Sequence, residues 1–259
     1  MLLAADIGNT NIVLGIFDGE TLRASWRLYS DVHKMPDEYA VMLFDLLKTQ
    51  GLSSSIVSDA ILCSVVPPLI STFEEMCQRY LKVSPLVVGT GIKTGVRILY
   101  DNPREVGADR VVDALAAYKL YGGPVIVVDF GTATVFDAVS KEGDYLGGAI
   151  FPGLGIATDA LFERTARLPR IELTRPKAAI GKNTVASMQS GLIFGYVAMV
   201  EGLVQRFRQE IGGMVRVVAT GGLAQIIAKE TTAFDVVNPD LTLVGLRLIH
   251  ELNIPASPG

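Results

Sequence analysis

The run Asp6-Ile7-Gly8-Asn9-Thr10-Asn11 places an acidic side chain at the exit of an apolar stretch, then a glycine and three short polar residues. A carboxylate there suits hydrated Mg²⁺, which takes one or two carboxylates and completes its shell with water and phosphate oxygens. Gly8 lets the backbone come close to a phosphate. Asn9, Thr10 and Asn11 offer amide N–H groups and short side chains as anion donors. No Gly-Lys-Ser/Thr follows, so this is not a Walker-type loop. Taken alone, the segment also reads as an Asn-rich hairpin turn.

The pattern recurs. Residues 4–13 align with residues 127–136, so that Asp129-Phe130-Gly131-Thr132 repeats the device with threonines in place of asparagines. Two such turns at matching places in two halves point to phosphates gripped from both sides. Thr220-Gly221-Gly222 follows an apolar run and opens a helical one. Adjacent glycines there let a flat adenosine lie against the backbone, or serve a tight turn that needs positive φ. Gly107-Ala108-Asp109-Arg110 starts another helical pattern. Asp109 there is either a cap and dipole partner or a carboxylate that takes a proton from a substrate hydroxyl while Arg110 grips an anionic group. Arg104 lies just upstream and reads as a solvated surface charge.

These residues need strands and helices to hold them. Strands are expected at residues 2–6, 12–17 and 23–29. A helix follows at 36–50, with Ala40, Leu43, Phe44 and Leu47 on one face. A strand at 60–66, a helix at 69–81 and a strand at 86–88 come next. The helix at 108–121 buries Val111, Val112, Leu115 and Tyr118 and stops at Gly122-Gly123. Strands at 125–129, 134–139 and 145–150 restart the order. Helices at 155–167 and 184–211, a strand at 215–219, a helix at 223–229, a strand at 234–237 and a helix at 241–252 complete it. The tail, 255–259, is expected to fray. The expected fold is α/β: two similar lobes, residues 1–117 and 118–259, each a mixed sheet flanked by helices, with a nucleotide cleft between them.

Composition narrows the partners. The chain has 259 residues, 23 basic against 27 acidic, and a net charge of −4, which argues against a global nucleic-acid footprint. Apolar residues make up 49% and charged residues 19%, enough to leave a buried subunit interface. The most apolar stretch, near residues 192–200, is interrupted by Gly195 and followed by Glu201, so no membrane span is expected. The first basic residue is Arg23, which argues against a signal peptide. Cys63 and Cys77 have no metal-like spacing and the only histidines are His33 and His250. Both cysteines read as small buried hydrophobes in a reducing cytoplasm.

The order DIGNTN at 6–11, GADR at 107–110, DFGTATVFD at 129–137 and ATGG at 219–222 resembles the type III pantothenate kinases, of the acetate and sugar kinase, Hsp70 and actin superfamily. The resemblance covers the whole chain. It implies ATP-dependent phosphorylation of pantothenate to 4′-phosphopantothenate, the first step toward coenzyme A, by a cytoplasmic homodimer that needs Mg²⁺ and a monovalent cation, K⁺ or NH₄⁺. By position, Asp6, Ile7, Gly8, Asn9, Thr10, Asn11, Ile12 and Val13 match the first phosphate motif, with Asp6 near Mg²⁺. Asp129 matches the monovalent-cation ligand, Thr132 an ATP contact, and Gly221 and Gly222 the loosely matched adenosine motif. Asp109 matches the catalytic base. Tyr100, Gly107, Ala108, Asp109, Arg110 and Thr184 match the pantothenate site. Residues 147–153 are implied to reach a neighbouring subunit's pantothenate site. The other readings are a non-catalytic accessory member that binds nucleotide, and a kinase of another small alcohol or of acetate.

Overall fold

The computed structural model describes residues 1–254, and the expected fraying of the tail lies outside the described residues. The chain divides into two units. The first comprises Met1–Val96, Asn102–Ala116 and the chain from Leu241 onward; the second comprises Arg97–Asp101 and Ala117–Asp240.

In the first unit the strands are β1 (Leu2–Ile7), β2 (Asn11–Asp18), β3 (Thr21–Tyr29), β4 (Asp59–Ser64) and β5 (Leu86–Val87). They form one sheet in the order β3-β2-β1-β4-β5, antiparallel from β1 to β3 and parallel from β1 to β5. Period-two burial explains the layers. Leu3, Ala5, Ile7, Leu14 and Leu62 face α1 (Pro36–Thr49) and α2 (Pro67–Met76). Tyr39 of α1 and Phe73 of α2 meet there with ring centroids 4.8 Å apart. Leu2, Ala4, Ile61 and Cys63 face the other way, into a core shared with Val112 and Leu115 of α3 (Ala108–Tyr121) and Leu243, Leu246 and Ile249 of α7 (Leu241–Asn253). A division at 117 and 118 assigns this last helix to the second lobe; in the structure it packs on the first sheet.

The second unit repeats the order. Strands β6 (Val125–Phe130), β7 (Ala133–Val139), β8 (Tyr145–Pro152), β9 (Arg216–Thr220) and β10 (Val236–Val237) pair as β10-β9-β6-β7-β8. Ile126, Val128 and Phe130 enter a core with Ile193, Tyr196 and Val200 of α5 (Thr184–Ile211) and Ala224 and Ile227 of α6 (Ala224–Ala228). Helix α4 (Leu154–Glu163) stops four residues before the expected end at Arg167. The expected helix at 69–81 begins earlier, on Pro67 and Pro68, whose missing N–H groups cost nothing in a first turn. It then loosens into a π-helical turn at Cys77–Leu81, closed by Lys82 at φ 61.

Helix α5 has 28 residues and is long and apolar enough, by length and composition alone, to cross a bilayer. Gly195 and Glu201 do not interrupt it. Met188, Leu192, Ile193, Tyr196, Val197, Val200 and Val204 are buried within the unit, which is what a core helix requires.

Candidate active site

The pleat of β1 decides where Asp6 points. With Leu3, Ala5 and Ile7 committed to one core, Asp6 takes the opposite face, across from Val13 on β2 and Cys63 on β4. Cys63 is fully buried. Burial pushes its thiol well up, and the charges of Asp6, Asp109 and Asp113 push it further. One buried thiol thus marks where a strand end and the start of α3 deliver three carboxylates to one neighbourhood. Asp113 lies one turn beyond Asp109, on the same helical face. That i, i+4 spacing was readable in the sequence, and Asp113 was not among the expected site residues.

Asp109 is the second residue of α3 and its Oδ1 accepts the Arg110 N–H at 2.8 Å. Its pKa is raised by burial, against the pull of the Arg110 N–H and guanidinium. The buried surroundings thus outweigh Arg110 and hold this carboxyl above the ordinary carboxylate range. Gly107 explains how it fits, since a Cβ there would overlap Asp109 Oδ1 and lie 3.8 Å from Val65. Ala108 opens the helix, and Arg110 is half-buried beside Asp109.

The first turn closes on itself. The Gly8 N–H donates to the Asn11 carbonyl at 2.9 Å, and a Cβ on Gly8 would stand 3.1 Å from that oxygen. Ile7 and Ile12 are buried and paired, Val13 is half-buried, and Asn9, Thr10 and Asn11 are exposed. The second turn is shorter. Pairing of Ile7 with Ile12 leaves residues 8–11 between the strands, while pairing of Phe130 with Thr134 leaves only 131–133. The repeat therefore slips by one residue inside the turn, and Thr132 corresponds to Thr10 rather than to Asn9.

Asp129 lies across from Thr220 as Asp6 lies across from Cys63. Two glycines flank its carboxylate. A Cβ on Gly131 would stand 3.3 Å from Oδ2, and one on Gly221, at φ +89, would overlap Oδ1. The two glycines make room for the carboxylate itself at the end of β6, and an acidic oxygen donor there has the chemistry that the implied monovalent cation takes. Asp6, on a strand end beside exposed amides, fits a hydrated Mg²⁺. Gly222 is exposed and leads into α6.

Tyr100 and Thr184 lie elsewhere in the second unit. Tyr145 on β8 donates its N–H to Arg97 and accepts the Leu99 N–H, docking the segment that carries Tyr100. The Tyr100 ring lies 6.2 Å from the Tyr145 ring, and 3.5 Å from where a Gly147 Cβ would be. Thr184 opens α5 behind its cap Asn183, whose Oδ1 accepts the Ala186 N–H at 2.9 Å. It lines a cavity of about 810 Å³ with Leu161, Leu168, Lys182, Ser187 and Met188; Tyr100 does not line it.

A doubled β3-β2-β1-β4-β5 order, with an Asp and a glycine turn at the end of each central strand, defines the fold class of the sugar kinases and actin-like ATPases. Two solved structures share it. One, described as a Baf family transcriptional activator from Campylobacter jejuni, has a TM-score of 0.62 at 19% identity and covers 97% of this chain and 98% of its own. The other, described as a 2-dehydro-3-deoxygalactonokinase from Sinorhizobium meliloti, has a TM-score of 0.60 at 14% identity and covers 100% and 99%. The sequence model of the type III pantothenate kinases matches residues 2–206. A type III pantothenate kinase from Moorella thermoacetica is 56% identical over 253 residues, 98% of this chain and 100% of the relative. The chain belongs to the type III pantothenate kinase family.

Proposed function

We propose that the chain transfers the γ-phosphoryl group of ATP to the 4′-hydroxyl of pantothenate, with Asp109 as the base. The observation that supports the assignment of the base is that Asp109, buried at the start of α3, and Asp6, at the end of β1, both act electrostatically on the buried Cys63 thiol. On this reading the proton acceptor works in the same neighbourhood as the carboxylate that would hold Mg²⁺. Phosphoryl transfer is largely dissociative, so the acceptor's work is to orient the hydroxyl in line and take its proton late. Gly107 keeps the carboxylate close to the helix start, and Arg110 offers a cation to the pantothenate carboxylate. The resemblance assigns Tyr100 and Thr184 of the second unit to pantothenate as well. The turn at residues 8–11 binds ATP phosphate, and the resemblance assigns Thr132 and Gly221-Gly222 to the nucleotide as well. When bound, Mg²⁺ at Asp6 and K⁺ or NH₄⁺ at Asp129 neutralise phosphate charge.

The enzyme works as a cytoplasmic homodimer. Exposed Gly191, Gly195, Ala198 and Gly202 recur on one face of α5, where a second backbone can approach closely. Ile150, Phe151 and Ile156 are exposed in the same unit. Both cysteines are buried free thiols, in keeping with a reducing compartment.

ADP release with Mg²⁺ and K⁺ tests the activity against pantothenate, a sugar panel, acetate and no acceptor. Release stimulated by pantothenate alone is the expected result. Stimulation by a sugar or acetate instead, or nucleotide binding without turnover, would overturn it.

A further inference from the structure

Ser30, the first residue after β3, is buried although it sits beside an exposed turn. Its N–H donates to the Thr10 carbonyl at 2.9 Å and its hydroxyl to the Gly8 carbonyl at 2.6 Å. With the Asn11 carbonyl taken by the Gly8 N–H, three carbonyls of the turn are tied back into the protein. The planar peptide fixes the consequence: the Asn9 N–H runs antiparallel to the Gly8 C=O in their shared plane. Drawing that carbonyl toward Ser30 turns the Asn9 N–H the opposite way. The negative ends of these dipoles point inward, which is the arrangement an anion needs.

Ser30 is itself held. The Tyr39 hydroxyl accepts the Asp31 N–H at 3.1 Å and donates to the Asp31 carbonyl at 2.9 Å, and Tyr39 is buried in the α1 core. The second unit supplies an internal control. Asn11 pairs with Tyr29, and Ala133 pairs with Pro152, so Gly153 occupies the place of Ser30. A Cβ at Gly153 would overlap the Thr132 carbonyl oxygen. The place that Ser30 fills in the first turn is therefore filled in the second by a residue with no hydroxyl, so the Ser30 side chain is particular to the first turn.

We infer that Ser30 is a positioning residue for nucleotide phosphate, orienting the amides of the first turn without touching the ligand. The inference rests on the reading that this turn binds ATP phosphates. Its test compares Ser30→Ala, Ser30→Thr and Gly8→Val by titration with ATP and with adenosine, and by steady-state kinetics. Freeing the Gly8 carbonyl should weaken ATP binding roughly tenfold. Adenosine affinity and the KM for pantothenate should stay within about twofold, and Ser30→Thr should restore ATP affinity. Equal weakening of ATP and adenosine binding would make Ser30 merely structural and overturn the inference. Undiminished ATP binding in Ser30→Ala, with loss in Gly8→Val, would also overturn it and leave the phosphate turn standing. Undiminished ATP binding in both variants would remove the phosphate turn itself, and the inference with it.

Discussion

Burial raises the Asp109 pKa, and Arg110 only partly offsets it. The folded chain therefore holds that proton more tightly than the unfolded chain. The stability this gives is complete below the ordinary carboxylate range and falls as pH rises through the window between the unfolded and folded pKa values. At neutral pH the ionised carboxylate is a standing cost to the fold. Asp109→Asn removes it and should raise the melting temperature, by roughly 2–4 °C per kcal/mol recovered in a chain of this size. The same change should lower kcat by roughly 10²–10⁴ while leaving ATP binding intact. A variant that turned over within a few-fold of the parent would reduce Asp109 to a first-turn acid beside the helix dipole. The acid limb of the parent's kcat profile should lie above that of an exposed carboxylate and vanish in the variant.

Glycine placement around the carboxylates is the element-scale counterpart. Gly221 leaves β9 at φ +89 with no room for a side chain beside Asp129. Gly221→Ala should cost about 1 kcal/mol or more of stability from the backbone alone. It should also displace the Asp129 carboxylate, so that rates in K⁺ and in Na⁺ become equal with Mg²⁺ fixed. Retained K⁺ stimulation in that variant would remove Asp129 from the cation site. These motifs were legible because each depends on a few neighbouring residues: an apolar strand, an Asp, a glycine. What escaped depends on pairing at a distance. The one-residue slip between the two turns emerges only when Ile7 is paired with Ile12 and Phe130 with Thr134. Ser30 was invisible because its partners, Gly8 and Thr10, lie some twenty residues earlier.

At the scale of the whole molecule, the doubled sheet order was readable from the repeat, and the placement of α7 was not. Its apolar stripe fits any sheet face, and only the core with Leu2, Ala4 and Ile61 shows which face it covers. Helix α3 likewise carries one expected face, yet Ala114, Ala116 and Ala117 are buried along with the expected Val111, Val112 and Leu115. Small residues let a helix be enclosed on several sides, which periodicity alone does not reveal. The exposed glycines of α5 carry the dimer prediction. A Cβ on Gly195 would meet nothing within 4 Å, so Gly195→Glu should fold normally. Light scattering should then give the mass of two chains for the parent and of one chain for the variant. A parent that is monomeric at micromolar concentration would sink the dimer.

The reaction assigned to this chain is phosphorylation of pantothenate on its 4′-hydroxyl. Phosphorus NMR of a reaction holding ATP, Mg²⁺, K⁺ and pantothenate tests it most directly. Transfer to the 4′-hydroxyl should give a new phosphate-monoester resonance coupled to the 4′-methylene protons, growing in step with ADP and absent with Asp109→Asn. Inorganic phosphate as the sole new product, or no new resonance while ATP binds, would contradict it.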